Sequence, residues 1–149
     1  MRRDTKGIPA PEINCVPFVG EVFDQFIEQY YYGYNNAFLP MRKALDIEPY
    51  VWFTPDRIYD RRDDEVFVLV NDNELIGSVA CFGNEVDELF VSEKYLGKGY
   101  GKKLLIWAMD HIAKEGFSEI TLTVAEWNQK AVKMYLDEGF KITKTEKRN

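Results

Sequence analysis

From Glu21 onward the apolar residues Val22, Phe23, Phe26, Ile27, Tyr30, Tyr31 and Tyr34 recur at the spacing of one helical face. Gly33 and Asn35-Asn36 weaken that helix. Pro40 suits the first turn of a second short helix running to Leu45, because the N–H that proline lacks has no partner there. Thr54-Pro55-Asp56 reads as the start of a third, with Thr54 at the N-cap. After Asp63-Asp64 the period changes. Glu65–Val70 and Leu75–Gly83 are apolar runs on either side of Asn71-Asp72-Asn73-Glu74, which is turn chemistry, so they predict a hairpin; Val86–Val91 adds a third strand to the meander. Gly97–Gly101 opens a helix with the apolar face Leu104, Leu105, Ala108 and Ile112, ending near Gly116 at a C′ position. Ile120–Val124 is a strand, Asn128–Leu136 a helix closed by Gly139, and Phe140–Thr145 a last strand. Ahead of all these, residues 1–11 read as a tail broken by Pro9 and Pro11, and Glu12–Phe18 as a short edge strand that tolerates Pro17. The pattern predicts a mixed α/β fold in which an antiparallel meander is followed by helix, strand, helix, strand.

Length and composition change this picture little. The chain has 149 residues, enough for one domain over residues 12–149 behind the tail. A chain of this size hides ~68–70% of its unfolded surface, so its core needs no disulfide or metal. The apolar run Leu104–Met109 falls far short of the ~18 residues a bilayer crossing needs, so no membrane partner is expected. The first nine residues carry charge but no apolar h-region, which is not a secretory signal; with two free thiols, Cys15 and Cys81, the expected location is cytoplasmic. Two cysteines and one histidine cannot form a four-ligand zinc site without carboxylates, so no metal is expected. The net charge of −6 argues against nucleic acid, which is held mainly by neutralising phosphates.

Within this acidic chain Lys94, Lys98, Lys102 and Lys103 fall close together, around Leu96-Gly97-Lys98-Gly99-Tyr100-Gly101. A strand leads into this loop and a helix leaves it. Glycines at alternate positions let successive N–H groups turn to one point, and a helix start adds unpaired donors and a positive dipole end. Such a loop can cradle a phosphate or diphosphate. The plainer alternative is a tight strand-to-helix turn with a solvated basic end. Two known phosphate loops do not fit. A P-loop needs glycine at Leu96 and a hydroxyl at Lys103, and a dinucleotide fingerprint needs Gly-x-Gly-x-x-Gly after a parallel strand.

The segment resembles the central motif of the GNAT superfamily of acyl-CoA-dependent N-acyltransferases, Arg/Gln-x-x-Gly-x-Gly/Ala after a strand ending apolar-x-Val, here Leu89-Phe90-Val91. The second family motif maps onto Asn128, Ala131, Tyr135, Gly139 and Phe140. The element order matches from about Glu12 onward. The resemblance implies the GNAT fold, with a bulged strand splaying from its neighbour in the central sheet, and acetyl-CoA as cofactor. Leu89, Phe90 and Val91 would offer backbone groups to the pantetheine arm and thioester. Leu96, Gly97, Lys98, Gly99, Tyr100, Gly101 and Lys102 would hold the diphosphate, and Asn128 would contact the cofactor from across the splay. Two departures stand out. Leu96 occupies the usual Arg/Gln position, and only nine residues follow Phe140 where the family commonly has two strands. The missing strand leaves an edge for a partner chain, as in a homodimer, or for the N-terminal segment.

The implied chemistry is acetyl transfer to a primary amine, small or peptidyl, by direct attack. Tyr135 would protonate the departing thiolate; without the motif it reads as a packed helix aromatic. The base candidates are Glu85, ranked first, then Asp87 and Glu88; the family often uses a water chain instead. Strand alternation places Glu85 and Asp87 with Leu89, though a bulge can reverse that parity. His111 reads as packing and Cys81 as core. The acceptor pocket would come from the N-terminal helices. Tyr30, Tyr31, Tyr32, Tyr34, Phe38, Tyr50, Trp52 and Phe53, with Glu28, Asp46 and Glu48 beside them, suit a cationic amine. Two alternatives stay open: a GNAT-fold module that binds acyl-CoA with little turnover, and an unrelated nucleotide-phosphate binder using the same loop.

Overall fold

A computed structural model describes residues 1–48, 51, 65–125 and 127–143. Its strands are β1 (Arg2–Asp4), β2 (Val16–Pro17), β3 (Val66–Asn71), β4 (Glu74–Phe82), β5 (Glu85–Val91) and β6 (Glu119–Leu122). Its α-helices are α1 (Gly20–Ala44), α2 (Tyr100–Lys114) and α3 (Gln129–Asp137). The strands form one six-stranded sheet in the order β1-β6-β5-β4-β3-β2, with β5 and β6 parallel and the other neighbours antiparallel. This is the mixed α/β arrangement the pattern predicts.

Strand alternation divides the core in two. Phe67, Leu69, Ile76 and Val79 join α2 residues such as Leu104, Leu105, Ala108 and Ile112 on one face. Val66, Val68, Leu75 and Ala80 join α1 residues Phe23, Phe26, Tyr30 and Tyr34 on the other. Each such side chain contributes roughly 1.5–3 kcal/mol on burial. Because β3 and β4 are covered on both sides, they read in sequence as near-continuous apolar runs.

The N-terminal region differs from expectation in two ways. The two helices expected before Leu45 are one helix of 25 residues that passes through Gly33 and Pro40. Gly33 is there because a Cβ would sit 2.8 Å from a ring carbon of Phe90. The aromatic stripe then carries the helix onward: Tyr34 and Phe38 lie 4.6 Å apart by ring centroid, and Tyr30 and Phe38 pack edge-on to Phe90 at 5.3 and 6.5 Å. The packing of this stripe ahead of Pro40 offsets the donor that proline lacks, worth about 3 kcal/mol in a helix without such support. The helix expected from Thr54 lies outside the described residues.

The second difference is β1. Arg2–Asp4, expected in a tail, pair antiparallel with Thr121, Ile120 and Glu119 of β6. The Arg3 guanidinium donates to the carbonyls of Glu138, Lys6 and Asp4. Arg-Arg-Asp has no apolar alternation, so a strand held by backbone pairing and one guanidinium leaves no periodic signal. Of the two occupants the sequence allows for the open edge, the N-terminal segment covers it. Of the expected strand Phe140–Thr145, Lys141 makes a single bridge to Arg2, and residues 144–149 lie outside the described set. At the opposite edge the strand expected over Glu12–Phe18 is reduced to Val16–Pro17, with Pro17 at the edge where its missing N–H costs least.

Candidate functional site

The central feature begins with a defect in β5. Ser78 pairs with Phe90 but Ala80 pairs with Asp87, so Val79 alone faces both Glu88 and Leu89. This is a bulge. Glu88 takes it up at φ +50°, and its N–H donates to Asp87 Oδ1 at 2.7 Å. A non-glycine residue in this region costs about 1–3 kcal/mol, and such strain concentrates at functional sites. The bulge reverses alternation: Val86, Leu89 and Val91 share the α2 side, while Phe90 is buried on the α1 side. Phe90 therefore packs its ring against α1 and pairs with Ser78 of β4, which leaves the backbone groups of Leu89 and Val91 to face away from β4.

The same strand parts from β6. Glu85 pairs with Thr121 and Val86 with Leu122, and among the described residues the pairing of the two strands does not continue beyond Val86. The two strands part there, and Leu89 to Val91 have no partner in β6 among the described residues, as a splayed sheet requires. Half-buried Leu89, Val91, Val124, Met134 and Tyr135 fringe the core cluster on this side.

The glycine loop follows. Gly97 and Gly99 have φ +77° and +85°, the left-handed conformation that glycine tolerates best, and Gly99 is the N-cap of α2. Leu96 donates its N–H to the Glu93 carbonyl and leaves its side chain 58% exposed. The N–H groups from Gly97 to Lys102 have no acceptor among the described residues. With the positive end of the helix dipole, about half a charge, they form a set of donors for an anion.

The lysines contribute less than their number suggests. Lys94 pairs with Glu74, Lys102 with Glu138 at 3.4 Å and Lys103 with Glu12 at 3.7 Å. Lys98 lies over the Tyr95 ring, 5.5 Å from its centroid. Tyr95 also donates its hydroxyl to Glu74 and packs edge-on to Tyr100, which clasps the approach to the loop against the β3–β4 turn. The lysine and tyrosine bonds hold the Glu74 carboxyl below its usual range. Sequence spacing gave no sign of this clasp, because Glu74 and Tyr95 meet only through the hairpin.

Tyr135 sits on α3, closed by Gly139 at φ +91° and anchored by buried Phe140, whose ring it meets edge-on at 6.0 Å. Burial pushes its phenol up to about 12, and the charge of Asp87 adds to the shift. Asn128 caps the same helix, its Oδ1 accepting from the Ala131 N–H at 3.1 Å. Replacing Asn128 with Ala should lower stability by about 1 kcal/mol, read as a shift in urea midpoint at constant slope.

The three candidate carboxylates separate. Glu85 lies at the closed end, paired with Phe82 on one side and Thr121 on the other. Asp87 and Glu88 lie just beyond the last pair with β6. His111 stacks on Trp107 at 5.2 Å and against Phe67 at 4.7 Å. Burial pushes the Cys15 and Cys81 thiols up to about 12, which leaves neither a nucleophile near neutral pH. Of the N-terminal aromatics, Tyr30 and Tyr34 are core; Tyr32, 60% exposed, lines a cleft of about 580 Å³ with Glu28, Glu74, Glu93 and Tyr95. Tyr50, Trp52 and Phe53 lie outside the described residues. Among the described residues no group of His, Cys, Asp and Glu could hold a metal ion, and no helix is long and apolar enough to cross a membrane.

A model of the acetyltransferase (GNAT) family matches residues 23–140. An uncharacterized N-acetyltransferase of Methanocaldococcus jannaschii is 26% identical over 130 residues, 78% of this chain and 55% of that protein, so the chain spans about half its relative's length. Among solved structures, apo YjaB of Escherichia coli superposes with a TM-score of 0.63 at 21% identity, covering 87% of this chain and 83% of that one. The PaiA N-acetyltransferase of Thermoplasma acidophilum, solved in complex with coenzyme A, gives 0.61 at 20% identity over 82% and 87%. At these identities the likeness is one of fold.

Proposed function

The chain belongs to the acetyltransferase (GNAT) family, and from that premise we propose that it moves the acetyl group of acetyl-CoA to a primary amine by direct attack. The observation that carries this reading is the run of unbonded N–H groups from Gly97 to Lys102, lying beside the open edge of β5. An elongated cofactor with a diphosphate in its middle and a thioester at its end fits that pairing of an anion cradle with an apolar, hydrogen-bonding slot. No Cβ or side chain fills the cradle: a methyl at Gly97 or Gly99 would meet nothing within 4 Å.

The acetyl thioester supplies an activated carbonyl; the protein supplies the rest. Backbone N–H groups of the open edge at Leu89 and Val91 polarise the carbonyl oxygen, an effect worth about 3–4 kcal/mol per donor. An aliphatic amine holds its proton to about pH 10.4, so a base must accept it. Asp87 ranks first, because it stands where the strands part and its charge reaches Tyr135; Glu88 is second, and Glu85 falls behind at the closed end. As the new C–N bond forms and the C–S bond breaks, the Tyr135 hydroxyl protonates the departing sulfur. Leu96 and Asn128 contribute backbone and cap to the frame rather than charge, and Phe90 seats the strand on α1 through its ring.

The test is release of free thiol from acetyl-CoA across a panel of amines. Amine-dependent release above hydrolysis is the expected result. Cofactor binding with no acceptor raising that rate would instead favour an acyl-CoA-binding module, and protection from unfolding by ATP but not acetyl-CoA would favour the unrelated nucleotide binder.

A further inference from the structure

Between the first turn of α2 and the outer face of α3 lies a second cleft, of about 240 Å³, lined by Lys102, Lys130, Lys133, Met134, Asp137 and Glu138. Gln129–Asp137 is helical, so Lys130, Lys133 or Met134, and Asp137 fall on one face, three and four residues apart. Two of the lysines are held by carboxylates: Lys133 meets Asp137 at 2.9 Å and Lys102 meets Glu138 at 3.4 Å. Lys130 has no carboxylate partner among the described residues. The cleft therefore carries one cation in excess, in a chain whose net charge is −6.

Its position gives that charge a use. Lys102 contributes its N–H to the cradle and its side chain to the cleft. Met134 joins the two from the other side, since its sulfur lies 3.8 Å from where a Cβ on Gly101 would stand. Val91, on the open edge of β5, approaches the same point from the opposite direction, at 4.0 Å. A ligand with its diphosphate on the Gly97–Lys102 donors thus has two exits, one along β5 and one into the lysine cleft. The pantetheine arm, apolar and amide-bearing, suits the first. The other end of coenzyme A is an adenosine whose ribose carries a phosphate monoester one sugar away from the diphosphate. The cleft is smaller than the roughly 300–1,000 Å³ of pockets that enclose a whole ligand, and suits one phosphate with its sugar.

We propose that this cleft is a subsite for the 3′-phosphate of the acyl-CoA, with Lys130 and Lys133 as the residues that distinguish coenzyme A from its dephospho form. The proposal rests on the acetyl-CoA reading above and adds a selectivity to it. Asp137 and Glu138 keep the ammonium groups in place before the ligand arrives, and the dianion takes over part of that pairing on binding. Dianionic phosphate and lysine attract through charge-assisted hydrogen bonds, stronger than neutral ones and weakened by salt.

Calorimetric titration with acetyl-CoA and with acetyl-3′-dephospho-CoA tests it on the wild-type chain and on Lys130→Ala/Lys133→Ala. The wild type should bind acetyl-CoA at least tenfold more tightly than the dephospho compound, with the margin shrinking as salt rises. The variant should bind both equally, at the wild-type dephospho level, and Lys130→Arg/Lys133→Arg should restore most of the difference. Equal wild-type affinity for the two compounds would overturn the subsite while leaving the acetyl-CoA reading intact. So would a variant that loses affinity for both alike. A wild type that binds neither compound would instead sink the acetyl-CoA reading, and the subsite with it.

Discussion

Tyr135→Phe should lower kcat by about a hundredfold or more, with acetyl-CoA affinity changed by no more than about twofold, since a positioned acid or base contributes roughly 10²–10⁴-fold. The substitution removes one oxygen and keeps the ring, so the edge-on packing on Phe140 at 6.0 Å and the end of α3 survive. Loss of turnover with an unchanged melting curve is therefore a statement about the hydroxyl. Turnover within about threefold of wild type would take the acid role away from Tyr135, because that is below the smallest effect expected of such a group.

The pH dependence carries an independent sign. Burial and the Asp87 charge raise the Tyr135 phenol to about 12, so the proton-donating form persists through the accessible range and fails only above it. The acceptor must be neutral to attack. Both requirements point the same way: kcat/KM should climb with pH toward the amine's own value, near ~10.4 for an aliphatic amine, with no descending limb below about pH 10. A fall beginning near pH 8 in the wild type and absent from Tyr135→Phe would mean that the phenol titrates as an exposed or activated group, against its burial.

The parts of this site that were legible in the sequence are those built from local chemistry. Gly97 and Gly99 announce a turn that only positive φ can make, and the apolar stripe Leu104, Leu105, Ala108 and Ile112 announces the helix behind it. Gly139-Phe140 announces the end of α3 for the same reason. What could not be read depends on register and on contacts between distant segments. Which of Glu85, Asp87 and Glu88 shares a face with Leu89 turns on one extra residue opposite Val79, and alternation alone does not show that residue. The clasp of Glu74 on Tyr95 and the approach of Lys130 to Lys102 bring together residues that no periodicity links. The lysine cluster misleads in the other direction. Its residues are adjacent in sequence, yet three of them spend their charge on Glu74, Glu138 and Glu12. Helix α1 is a further case, since Gly33 and Pro40 lower its intrinsic stability and only the Phe90 ring shows why it continues.

Gly77→Ala should be the most damaging single methyl in the described structure. Gly77 pairs with Val91 in the β4–β5 ladder, under the first turns of α2. A Cβ there would stand 2.7 Å from the Phe90 carbonyl oxygen and 2.7 Å from Leu104 Cδ1. In an open strand the change would gain about 0.5–1 kcal/mol from reduced chain entropy. Overpacking costs about 1–3 kcal/mol, and the upper end applies because one obstacle is backbone and cannot rotate away. The net loss of about 2 kcal/mol corresponds to a fall in Tm of roughly 4–8 °C for a domain of this size. Relief must come from moving β5 or α2, the two elements whose junction forms the cradle, so KM for acetyl-CoA should rise in the same variant. Gly101→Ala is the contrast: its Cβ would meet Met134 at 3.8 Å and Val91 at 4.0 Å, ordinary contacts, and Tm should hold. If Gly77→Ala melts like wild type, then β5 and α2 are not seated on that glycine, and the rigidity ascribed to the cradle has another source.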